Sequence, residues 1–217
     1  MGSRIMHLII ANRIAENFPA LNRPGFLLGG IAADAVSPKD LSHFYGGDVQ
    51  DYSRMIDYNG FLDKYRTLPQ KDYILGYYTH LIADDLWLKG FYLPWLKNRM
   101  EHDPDILRLY HEDFRLLNAK LLDYYGLDVE VLKEMEQHCA AMVDLEEVTI
   151  KDVLDFLPYV KRDMHYPSVD LQATLKVFTL EQIVGYVETS VDKGIIHINK
   201  AFGSVGNNEQ SLEQSNI

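Results

Sequence analysis

Apolar and polar residues alternate with a helical period along most of the chain. The first predicted helix covers about residues 4–17, where the apolar residues Ile5, Ile9, Ile10 and Ile14 recur at helical spacing. The same criterion predicts helices over about 25–35, 69–89, 103–125 and 129–143, and one or two more over 175–201. Thr149 begins a capping pattern before another apolar run. The segment 25–35 contains small residues that would allow neighbouring helices to approach closely.

The other segments are loops or tails. Residues 42–59 form a loop rich in Gly and Asp, and no convincing β-hairpin or alternating strand pattern occurs. Residues 203–217 are rich in Asn, Gln, Ser and Glu, which predicts a disordered tail. We therefore expect an all-α fold, with one compact multi-helix domain at 1–202 followed by the tail at 203–217.

Composition narrows the possible functions. The chain has 217 residues and a formal charge of −11, which argues against a nucleic-acid partner held through its phosphates. Cys139 is the only cysteine, so a bound metal would need His, Asp and Glu ligands. There is no apolar run of membrane-spanning length and no signal-peptide pattern, so we expect a cytoplasmic protein.

The strongest chemical signal is a histidine and a carboxylate inside an apolar helix. His80 and Asp84 are four residues apart, so they lie on the same helix face. A buried carboxylate is costly unless it is paired or binds a metal. The pair can therefore hold a cation, although a simple buried ion pair explains it equally well.

Three further residues of the same kind lie upstream. His7 belongs to the first predicted helix, Asp34 ends the second, and His43 follows in the loop. Each has an ordinary alternative: a packed core histidine, a solvated helix end and a loop histidine. Asp34 is unfavourable at a helix C-terminus unless a positive charge compensates it.

The order of these residues resembles the zinc-dependent phospholipase C family, which is related to the single-strand-specific zinc nucleases. The resemblance covers roughly the first ninety residues, with His7, Gly29-Gly30-Ile31-Ala32-Ala33-Asp34, His43-Phe44 and the Gly76-Tyr-x-x-His80-x-x-x-Asp84 pattern. It implies an all-helical, phospholipase C/nuclease-like fold. It also implies that Asp34, His43, His80 and Asp84 hold one zinc ion, and that Asp84 bridges to a second ion bound by His7.

The implied activity is hydrolysis of a small-molecule or lipid phosphoester by metal-activated water, with Asp34 or Asp84 orienting the water or acting as base. One or two zinc ions, or another divalent metal, would serve. The chain resembles a reduced, intracellular-type member, because the downstream His-x-x-x-Glu pair of secreted members is absent. His111 is a candidate additional ligand or substrate contact. Another helical metal-dependent phosphohydrolase, or a non-catalytic scaffold with a vestigial site, stays an alternative, and the oligomeric state is open.

Overall fold

A computed structural model describes the backbone of residues 3–213 and the side chains of residues 3–201. The described chain is mainly helical, which confirms the all-α prediction. The α-helices are α1 (Arg4–Ala15), α2 (Arg23–Ala32), α3 (Tyr58–Tyr65), α4 (Lys71–Trp87), α5 (Lys97–His102), α6 (Ile106–Tyr125), α7 (Glu130–Gln137), α8 (Ile150–Asp163), α9 (Val169–Gln172) and α10 (Leu180–Glu213). Short 3₁₀ turns follow α2 at Ala33–Ala35 and α7 at Cys139–Ala141.

Local side-chain chemistry sets several helix ends. The Ser3 hydroxyl accepts a hydrogen bond from the Met6 amide at the start of α1. Thr149 and Asp152 form a capping box that begins α8, as the sequence predicts. Gly126 ends α6 in the left-handed conformation, with φ of 64°. These boundaries follow directly from residue type.

The core is built on α1, α2 and α4, with α10 packed against α1 and α4. Nearly every side chain of α1 and α2 is buried, so both helices are apolar on all sides, as expected for central helices. Helices α2 and α4 pack closely against each other. A Cβ added to Gly29 would lie 2.0 Å from the Tyr73 carbonyl oxygen, which confirms the predicted role of small residues in close packing.

Several details differ from the sequence predictions. Helix α3 (Tyr58–Tyr65) was not predicted, and the helix expected over 129–143 ends at Gln137. The helix expected to end near residue 89 continues as a π-helical segment, Leu88–Leu96, and leads into α5. This segment contains Pro94, which has no N–H to donate to a regular α-helical ladder. The loop at 42–59 contains a short antiparallel pair, β1 (Tyr45–Gly46) and β2 (Met55–Ile56). Two residues per strand are too few for an alternation to be recognised in the sequence.

At the C-terminus the helical backbone of α10 runs to Glu213. The side chains from residue 202 onward, and the backbone from residue 214, lie outside the described residues, so the tail at 203–217 stays a prediction. Within the part of the chain that the structure describes, no helix combines the length and apolarity needed to cross a membrane.

Candidate metal centre

Five buried side chains from four parts of the chain meet at one point inside the helical core. Helix α1 contributes His7, the 3₁₀ turn after α2 contributes Asp34, and the loop before β1 contributes His43. His80 and Asp84 project from consecutive turns of α4. None of the five is more than 9% exposed. The structure thus brings together all five residues expected to bind metal.

Asp84 lies at the middle of this cluster. Its Oδ1 is 3.2 Å from His7 Nε2, and its Oδ2 is 3.2 Å from His43 Nε2. The same Oδ2 is 3.7 Å from His80 Nε2. Both carboxylate oxygens of Asp84 therefore face imidazole nitrogens, which is the arrangement a bridging carboxylate needs.

The distances among three of these atoms match those around a tetrahedral ion. His43 Nε2 lies 3.4 Å from His80 Nε2 and 3.2 Å from Asp84 Oδ2, and His80 Nε2 lies 3.7 Å from Asp84 Oδ2. Ligands at about 2.0–2.1 Å from a tetrahedral zinc ion lie about 3.4 Å from one another. Asp34 Oδ1 lies 3.6 Å from His43 Nε2 but does not belong to this group of three, so it is not placed as a fourth ligand of the same ion.

The cluster divides into two overlapping groups whose ligand atoms all lie within 4.8 Å of one another. One group is His43, His80 and Asp84, and the other is His7, Asp34 and His80. The resemblance implied that Asp84 alone would link the two ions. In the structure His80 belongs to both groups, and Asp34 lies near His7 as well as near His43.

Hydrogen bonds outside the cluster orient two of the imidazoles. His80 Nδ1 donates to the Gly30 carbonyl at 2.9 Å, and His43 Nδ1 lies 3.2 Å from the Lys39 carbonyl and 3.0 Å from the Ser42 hydroxyl. A metal-ligating histidine commonly makes such an outward N–H contact. The Nε2 lone pairs of the neutral rings then point inward, towards each other and towards carboxylates. That contact is repulsive unless a cation or a proton lies between them.

The electrostatics agree with this geometry. Burial alone would raise the pKa values of Asp34 and Asp84, but the surrounding cationic and hydrogen-bonding groups, His43 among them, lower both well below the usual range. Burial and the neighbouring His7 lower the pKa of His80 to about 4. Burial opposes protonation of His43 too, but Asp34 and Asp84 raise its pKa. The centre therefore holds two carboxylates and at least one neutral imidazole.

His7 gives a further indication of a bound cation. Within the described part of the chain, neither ring nitrogen of His7 has a hydrogen-bond partner with suitable geometry, although Nε2 lies close to Asp84. Its ring instead stacks on His80, with centroids 3.7 Å apart and planes inclined by 17°. Leaving buried polar atoms unpaired is costly. An ion bound to one ring nitrogen of His7 would remove part of that cost.

No protein-family model, curated protein or solved structure matches this chain. The case for a metal centre therefore rests on the residues themselves.

A cleft of about 710 Å³ extends from the surface to Asp34. Asp34 is the point where the cleft meets the five-residue cluster, because it belongs to both. His111 lines the same cleft but is exposed and lies outside the two ligand groups. The structure therefore places His111 on the cleft wall, outside the ligand set.

Sequence reasoning missed one exposed residue, Lys39, and two buried polar residues, Asp113 and Asn118. Lys39 contacts Asp34 Oδ1 directly, and Asn118 lies on the cleft wall with its Oδ1 unpaired. Asp113 accepts hydrogen bonds from the backbone amides of Lys176, Val177 and Phe178, and fixes the segment before α10. Asp113 and Asn118 do lie on the apolar side of α6, which is the one signal that could have marked them as buried.

Proposed function

We propose that this protein is a metal-dependent hydrolase of phosphoesters, with zinc as the ion. The observation that supports this best is the convergence of His7, Asp34, His43, His80 and Asp84 beside an open cleft. Nitrogen and carboxylate oxygen ligands suit zinc and several other divalent ions.

The charges of the centre fit a divalent ion. Asp34 and Asp84 contribute two negative charges in a site from which water is largely excluded. A divalent ion would neutralise them, and its accessible coordination position would allow a protein of net charge −11 to bind an anionic substrate. When bound, such an ion lowers the pKa of water to about 7 and polarises the phosphoester.

The two carboxylates have different roles in this proposal. Asp84 presents one oxygen to His7 and the other to His43, so it holds the ligand set together. Asp34 borders the cleft, where it can orient a water molecule beside the phosphorus. Its lowered pKa keeps it ionised, so it can accept a hydrogen bond from that water at neutral pH.

The open cleft favours an enzyme over a non-catalytic metal-binding scaffold. Structural zinc sites are closed by four protein ligands, whereas catalytic sites keep a position accessible to water or substrate. Here Asp34 connects the buried cluster to a cleft of about 710 Å³, within the range of small-molecule sites. A purely structural ion would need no such access.

Metal analysis and turnover test the proposal together. We expect protein purified without chelator to contain zinc or another divalent ion. We expect it to hydrolyse at least one ester among bis(p-nitrophenyl) phosphate, p-nitrophenyl phosphate and a phospholipid. Asp84→Asn should lose both metal and activity, because the neutral amide cannot bridge.

Asp85→Asn is the matched control, because Asp85 is the next residue of α4 and is also buried. Its carboxylate pairs with Lys89 at 2.7 Å and belongs to neither ligand group. Asp85→Asn should retain metal and turnover. A metal-replete protein without activity on any of the three esters would contradict the enzyme proposal, and a protein that binds no divalent ion would contradict the metal centre itself.

A further inference from the structure

The cleft beside Asp34 is lined in part by charged side chains. Three of its side chains are cationic, namely Arg4, Lys39 and Arg115, and they line it together with only two acidic residues. Each of the three is ion-paired, Arg4 with Asp163, Lys39 with Asp34 and Arg115 with Asp170, so their positive charge is largely balanced. Lys39 contacts Asp34 at the inner end, next to the proposed metal centre. The cleft therefore offers cationic donors without a large net positive charge.

Aromatic rings from two helices form much of the remaining lining. Tyr110 and Phe114 come from α6, with ring centroids 4.3 Å apart, and Phe156 and Tyr159 come from α8. The Arg4 guanidinium lies over the Phe156 ring at 5.0 Å. Aromatic rings and guanidinium groups are planar, so they form stacking and cation–π contacts with another planar group, such as an aromatic ring of a ligand.

Asn118 provides an independent indication of a ligand. It is 6% exposed, lines the cleft, and its Oδ1 has no hydrogen-bond partner among the described residues. A buried amide oxygen without a partner costs free energy, and a donor on a bound molecule would satisfy it. Arg4 Nη1 also lacks a hydrogen-bond partner, although Asp163 lies 3.4 Å away.

We propose that this cleft binds the organic part of the phosphoester, and that this part is a single aromatic group carrying a hydrogen-bond donor. The inference rests on the proposed hydrolase function, since it places the phosphorus at the Asp34 end. A volume of about 710 Å³ accommodates a small molecule. The aromatic lining and the unpaired Asn118 favour a flat ring with a donor over a flexible acyl chain.

Two non-hydrolysable probes test this assignment. Methylphosphonate supplies the anion alone, and 4-hydroxyphenylphosphonate adds a ring and a donor. Ligand-observed NMR titration of the zinc-loaded protein should show that the aryl probe binds more tightly, by roughly tenfold or more. Equal affinities for the two probes would overturn the proposal.

Substitutions of one exposed and one buried residue of the cleft test whether the cleft causes the preference for the aryl probe. The aryl advantage is the ratio of the dissociation constant of methylphosphonate to that of 4-hydroxyphenylphosphonate. Tyr159→Ala and Asn118→Leu should each reduce this ratio by roughly three- to tenfold, while the affinity for methylphosphonate stays unchanged. Tyr124→Ala is the control, because Tyr124 is similarly exposed but does not line the cleft. An aryl advantage that survives both cleft variants would also overturn the proposal.

The measurements separate this inference from the hydrolase proposal. Protein that binds zinc and hydrolyses a phosphoester but shows no aryl preference would refute the cleft assignment alone. In chelator-treated protein both probes should bind more weakly, while the aryl preference should persist, because it arises from the cleft. Loss of the preference together with the metal would show that the cleft residues do not bind the ring.

Discussion

The contact between α2 and α4 gives the most direct structural prediction, through Gly76→Ala. A Cβ on Gly76 would lie 2.0 Å from the Phe26 carbonyl oxygen and 3.0 Å from the Gly30 backbone nitrogen. Both neighbours are backbone atoms, so no side-chain rotation can relieve the clash. Restoring the shorter contact to 3.0 Å requires the helices to separate by about 1 Å, which forfeits roughly a quarter to a half of each dispersion contact across the gap.

Two opposing effects set the size of the change. Overpacking in a core costs about 1–3 kcal/mol, and a clash between backbones belongs at the upper end. Alanine improves helix propensity over glycine by about 1 kcal/mol. The net expectation is a loss of about 2 kcal/mol in the free energy of unfolding, or about 4–8 °C in melting temperature for a domain of this size.

Urea and thermal denaturation of chelator-treated protein measure this loss without interference from bound metal. Gly185→Ala is the control, because Gly185 lies within α10 and an added Cβ would meet no atom within 4 Å. That variant should gain up to about 1 kcal/mol from propensity. If Gly76→Ala were as stable as the wild type while Gly185→Ala showed its gain, the close approach of α2 and α4 would be refuted.

Three further predictions concern the centre and its support. His7→Ala should lower zinc stoichiometry while the melting temperature of the metal-free protein stays within a few degrees of wild type; unchanged stoichiometry by metal analysis would make His7 a packing residue. Zinc affinity, measured by competition with a chelator, should fall as pH drops, because zinc binds only the neutral form of His43. Burial lowers the pKa of His43, but Asp34 and Asp84 outweigh it and raise this pKa above the ordinary 6.5. The decline should begin above pH 6.5, and an affinity independent of pH between 6 and 8 would contradict this. Asp113→Ala should destabilise the fold by about 3 kcal/mol or more, because three backbone amides lose their acceptor; a variant as stable as wild type in urea would contradict this account of the segment before α10.

Features that depend on neighbouring residues could be predicted from the sequence. The four-residue spacing of His80 and Asp84 places them on one helix face whatever surrounds the helix. The Thr149 capping box is likewise local and occurs where the sequence predicts it, and Gly126 ends α6 at the predicted boundary of the helix over 103–125. The all-α class follows from helical periodicity repeated along the chain.

Features that depend on packing between distant segments could not be predicted. His80 belongs to both ligand groups because of how α1, α4 and the turn after α2 are positioned against one another in the packed core. The cleft depends on how α6 and α8 lie beside Asp34, so no local pattern marks Lys39 or Asn118 as its lining. The π-helical segment at Leu88–Leu96 was missed because Pro94 normally signals a helix end.

The acceptor that orients His80 is a main-chain carbonyl, and this affects how position 30 would respond in a saturation mutagenesis experiment. Every residue type at that position retains the carbonyl, so no side-chain replacement deletes the contact to His80 Nδ1. What a larger residue would disturb is its fit against Ala11, whose Cβ would lie 2.6 Å from an added Cβ. Substitutions at position 30 should therefore reduce the abundance of the folded protein. Substitutions at position 84 should instead reduce the metal content of protein that still accumulates.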